Sequence, residues 1–92
     1  MSRDHVVLPL LSRFRGLSIY LYFDDHPPPH FHVRAGSGAA VVEIRTGRID
    51  GDLSARQRSD IESWRREHVL ELLMNWDRAT RHEPLHSIEP LR

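Results

Sequence analysis

Residues 30–45 read His-Phe-His-Val-Arg-Ala-Gly-Ser-Gly-Ala-Ala-Val-Val-Glu-Ile-Arg. Two β-rich runs flank a Gly-Ser-Gly turn, the pattern of a β-hairpin. His30 to Ala35 is one predicted strand and Ala39 to Arg45 the next. With Ser37 and Gly38 as the two turn residues, Arg34 faces Val41, Val33 faces Val42, His32 faces Glu43, Phe31 faces Ile44 and His30 faces Arg45. This register gathers Phe31, Val33, Val42 and Ile44 on one face. It gathers His30, His32, Arg34, Glu43 and Arg45 on the other. A slip of one residue would mix the two sets, so the apolar pattern favours the pairing.

Upstream, Leu17-Ser-Ile-Tyr-Leu-Tyr-Phe23 alternates in the same way. It predicts a half-buried strand with Leu17, Ile19, Leu21 and Phe23 on one side and Ser18, Tyr20 and Tyr22 on the other. Residues 24–29, Asp-Asp-His-Pro-Pro-Pro, predict a stiff turn, because each proline fixes its own φ and extends the residue before it. Downstream, Thr46-Gly47 leads into a short fourth strand, Arg48 to Asp50. Ser54-Ala-Arg-Gln57 is a capping box that opens a helix. Ile61, Trp64, His68, Leu72, Trp76 and Ala79 then recur at helical spacing with no glycine or proline among them. The pattern predicts one long helix to about Arg81, or the same helix with a break. Trp64 and Trp76 are expected in the core, and His68 as a buried, hydrogen-bonded histidine. Arg65 and Arg66 read as a solvated helix face. Leu70, Leu73 and Met74 widen the apolar surface, enough to cover a docked tail or to form a homodimer interface.

The expected architecture is a single α+β domain. An antiparallel sheet of three to four strands packs on the C-terminal helix. Residues 1–12 form an N-terminal arm, 13–52 the sheet region, 53–82 the helical region and 83–92 an extended tail docked through Leu85, Ile88 and Leu91. A chain of 92 residues buries only about two-thirds of its unfolded surface, so it is marginally stable alone. It has no cysteine, which excludes disulfides and thiolate metal sites and fits a reducing, cytoplasmic setting. No apolar run approaches the roughly 20 residues of a membrane span. Net charge is zero with the seven histidines neutral, and every basic residue is an arginine. That balance lacks the basic excess usual in nucleic-acid binders.

The polar face of the hairpin carries the chemistry. A glutamate, two histidines and two arginines are the parts of a metal-independent ribonuclease-like site. His30, His32 and Glu43 would share acid–base work, and Arg34 and Arg45 would hold phosphate. The same face supports a second expectation. His30 and His32, two apart on one strand and about 7 Å between Cα atoms, project together and are candidate ligands for zinc, nickel or copper. A bare solvated sheet face is the plain alternative to both. Asp24, Asp25 and His26 are placed at the rim. In polyproline geometry His26 stands roughly 12 Å from His30 and joins a site only if the loop folds back or a partner supplies it.

Ser12-Arg13-Phe14-x-Gly16, then Tyr22-Phe23-x-Asp25-His26-x-Pro28-Pro29-His30-Phe31-His32-Val33, resembles a bacterial family called domain of unknown function 4160. Leu72-Leu73-x-Asn75-Trp76 and Ile88-Glu89-Pro90-Leu91 match its later blocks. The resemblance runs from about Pro9 to Arg92. It implies no established activity and no proven catalytic residues. Genes of the family commonly lie beside a second short gene, domain of unknown function 2442. That implies one component of a toxin–antitoxin-like two-gene module, with a small partner protein encoded alongside and a sheet face that contacts RNA or that partner.

Overall fold

The computed structural model describes residues 9–92. Five strands form one sheet: β1 (Leu10–Phe14), β2 (Leu17–Tyr20), β3 (His30–Ala35), β4 (Gly38–Glu43) and β5 (Ile49–Gly51). Each pairs antiparallel with the next in chain order, so the sheet is a meander. Two helices follow, α1 (Ala55–Glu67) and α2 (Val69–Thr80). The class is α+β, as the pattern predicts, with one more strand and a divided helix.

The extra strand is β1, part of which the sequence assigns to a loose arm. Its pairing with β2 carries a bulge between Leu10 and Ser12. The bulge breaks strict alternation, which hides the strand from a period-two reading. Arg15 and Gly16 link β1 to β2 with φ of +48° and +77°, as a two-residue primed turn requires. The rest of the expected arm, residues 1–8, lies outside the described residues.

The hairpin register is also corrected. His30 pairs with Glu43, Phe31 with Val42, His32 with Val41 and Ala35 with Gly38. The predicted pairing is displaced by two residues, because Gly36 and Ser37 make the turn in place of Ser37 and Gly38. Gly36 has a φ of +60°, which suits the first central position of a type II′ turn. Gly38 is needed in the strand. A Cβ there would lie 2.6 Å from the Asp52 carbonyl oxygen. A two-residue shift preserves the faces, so Phe31, Val33 and Val42 still share the buried side.

Trp64 of α1 is the centre of the core, fully buried against the rings of Phe14 and Phe31 at 5.5 and 5.7 Å. Its indole N–H donates to the Glu89 carbonyl at 2.8 Å, which ties the tail to the helix. Ile88 N–H donates to the Leu11 carbonyl at 2.8 Å, so the tail also runs along β1. The capping box at Ser54 and Gln57 forms as expected. Of the two alternatives left open, a continuous or a broken helix, the broken one is found: the break is at His68, whose backbone (φ −127°, ψ 21°) leaves the helical region. Apolar residues keep their spacing through the break, so the pattern alone does not register it. His68 itself is half-buried, not fully buried as expected, and is packed on Trp64 and hydrogen-bonded to the Glu71 carboxylate.

Two further expectations change. Arg65 is buried, not solvated: it makes a bidentate pair with Glu62 and donates to the Ile44 carbonyl at 2.7 Å, which fastens α1 to the end of β4. Phe23 is 38 % exposed and stacks on His82 instead of entering the core.

Candidate functional site

The loop between β2 and β3 folds back over the start of β3. The Pro27–Pro28 peptide is cis, and the segment is not an extended polyproline run. The fold-back places Asp25 on the two strand histidines. Its Oδ2 lies 2.9 Å from His30 Nε2 and 2.9 Å from His32 Nε2. The ligand atoms of Asp25, His30 and His32 all lie within 4.8 Å of one another. Asp25, expected at the rim, is the hub of the cluster.

The surroundings hold these groups in place. His30 Nδ1 donates to the Pro28 carbonyl at 2.7 Å, and its ring lies 5.2 Å from that of Trp76 on α2. Trp76, expected in the core, is partly buried and packs on this histidine. His32 is backed by the Tyr22 ring at 4.2 Å. The three side chains are only 10 to 23 % exposed. At Asp25, burial alone would raise the carboxyl, but the His32 hydrogen bond and the charges of His30 and His32 outweigh it. The result is an acid held below its ordinary value.

The cluster opens on a cleft of about 430 Å³. Its far wall comes from β4, β5 and their connection: Val41, Glu43, Arg48 and Asp50. Glu43 is brought in, directly across from His30. His26 also lines the cleft, its ring 5.9 Å from that of His30. Arg34 shares the histidine face but lines a neighbouring depression with Tyr22. Arg45 follows the end of β4 and is absent from the cleft lining. Asp24 points to His82, 2.9 Å away, at the true rim. Arg48 and Asp50 were missed, although the predicted fourth strand contained both. The corrected register would have found Asp50, which pairs with Val41, itself the partner of His32.

A five-stranded meander with two helices, presenting an Asp–His–His cluster over a cleft, defines a small α+β domain with a concentrated polar site. The model of the family described as Domain of unknown function (DUF4160) matches residues 16–77, and the chain belongs to that family. The match contains the whole Asp25–His30–His32 cluster and the cleft wall, but ends before the tail. No curated protein and no solved structure matches the chain. Among the described residues, no helix is long and apolar enough to cross a membrane.

Proposed function

We propose that this chain is a metal-binding domain in which Asp25 Oδ2, His30 Nε2 and His32 Nε2 hold one divalent transition-metal ion. The observation that carries the reading is the bond from His30 Nδ1 to the Pro28 carbonyl. A carbonyl only accepts, so Nδ1 carries the proton, and Nε2 is left to face Asp25. A backbone acceptor behind a ligating imidazole fixes tautomer and ring orientation in this way. Spacing agrees. Bonds of about 2.1 Å set neighbouring ligand atoms about 3.0 Å apart in an octahedral set and about 3.4 Å apart in a tetrahedral one. The two nitrogen–oxygen edges are 2.9 Å. Two imidazoles and one carboxylate suit zinc, nickel, copper or ferrous iron, with the remaining positions facing the cleft.

Calorimetric titration of chelator-treated protein with zinc and nickel tests this. One ion per chain is expected for the wild type and none for His32→Ala. A wild type that shows neither binding heat nor a thermal shift would end the proposal. The metal-independent ribonuclease reading draws less support. It needs His30 and His32 to act separately, yet both end on one oxygen, while Arg34 and Arg45 stand off the cleft.

A second reading concerns partners. Leu70 and Met74, one turn apart on α2, are 76 % and 55 % exposed. They favour a protein contact, which in a toxin–antitoxin-like module would be the co-encoded small protein. Co-purification of the two chains, lost on Leu70→Asp, is expected. A homodimer by light scattering would reassign the face to a second copy.

A further inference from the structure

Glu43 stands beside the cluster without belonging to it. It is the cross-strand partner of His30, which sets their Cβ atoms about 5 Å apart on one face. Its carboxylate is outside the group of ligand atoms that lie within 4.8 Å of one another. It is nevertheless held. Thr46 donates its hydroxyl to Glu43 Oε1, and Arg48 N–H donates to Thr46 Oγ1 at 3.2 Å. The Glu43 backbone is fixed as well, its N–H donating to the Arg48 carbonyl and its carbonyl accepting from Gly47 N–H, both at 2.9 Å. No protein donor occupies Oε2 among the described hydrogen bonds. A carboxylate oriented by a turn, free on one oxygen and next to an ion site, is placed to accept a proton from water polarised by that ion.

Arg48 supplies the other half. Its side chain is 75 % exposed at the cleft wall, and its contact to Asp50 is long, 3.9 Å. The guanidinium is therefore available to an anion. A guanidinium and a divalent cation on opposite sides of a small cleft match the charge of a phosphate monoester.

We propose that the cleft is a hydrolytic site for small phosphate monoesters, with Glu43 as general base and Arg48 holding the phosphate. This rests on the metal reading of Asp25, His30 and His32. Glu43 Oε2 takes a proton as the water oxygen bonds to phosphorus. The bond from phosphorus to the ester oxygen breaks, and the departing alkoxide receives a proton from protonated Glu43 or from solvent. One water is consumed, and an alcohol and inorganic phosphate leave.

The test is hydrolysis of p-nitrophenyl phosphate by protein loaded with zinc, nickel or manganese, with ion binding measured on the same samples. Turnover that depends on the ion is expected. Glu43→Gln should keep ion affinity and KM and lose about 10²- to 10⁴-fold in kcat. Thr46→Val, which frees the carboxylate without removing it, should lose less. Arg48→Ala should act mainly on KM. Loaded wild type without turnover, or Glu43→Gln with undiminished turnover, overturns the hydrolytic role and leaves the metal reading standing. If Glu43→Gln loses the ion, Glu43 is a ligand and not the base. If the wild type binds no ion, both readings fall together.

Discussion

At Asp25 opposing effects compete: burial raises its pKa, while the hydrogen bonds to His32 and His30 and the two imidazole charges lower it further than burial lifts it. A depressed acid contributes stability that is present above its ordinary value of 3.8 and is lost as pH falls through the lower folded value. In metal-free protein, the wild type should therefore lose melting temperature below about pH 4 more steeply than Asp25→Asn does. A calorimetric series across that range decides it; parallel curves would remove the assigned role. With an ion added, Asp25→Asn should weaken binding by more than the roughly 10- to 100-fold that loss of a supporting partner costs. His30 and His32 were legible from spacing alone. Asp25 was legible as a residue but not as a neighbour, since an extended proline run would hold it away. The fold-back of that loop depends on backbone contacts, such as Ile44 N–H to the Pro29 carbonyl, that no local pattern announces.

Strands and helices tell a similar story. Apolar alternation assigned the faces of β3 and β4 correctly, because period two is insensitive to a shift of two. The choice between Gly36-Ser37 and Ser37-Gly38 as the turn needed a tertiary fact, the approach of Asp52 to Gly38. Gly38→Ala should then destabilise by about 1–3 kcal/mol, seen as a lower urea midpoint at unchanged slope. A neutral substitution would mean that this contact does not set the register. Ser54→Ala removes the capping oxygen of α1 and should cost about 1 kcal/mol by the same measurement. The break at His68 was not readable, because stripe residues on both sides keep facing the core.

For the molecule as a whole, the tail replaces core volume that so short a chain lacks. Asn75, almost fully buried on α2, donates to the His86 carbonyl and accepts from the His86 N–H, as a strand neighbour would. Asn75→Ala leaves that peptide group unpaired and should cost about 1–3 kcal/mol, with Trp64 fluorescence reporting a loosened tail. An ion at a hundred times its Kd should stabilise the native state by about 2.7 kcal/mol, or roughly 10–20 °C in Tm for a domain of this size. Every ionisable side chain of the cleft comes from residues 25–50, one unbroken stretch. The helices and tail contribute the Trp76 ring and the other half of the core. The reactive groups thus lie on strands whose opposite face, through Phe31, Val33, Val42 and Ile44, also builds the core. A segment running from Asp25 to Asp50, the loop, the β3–β4 hairpin and β5 together, would carry the whole set of reactive groups to another scaffold.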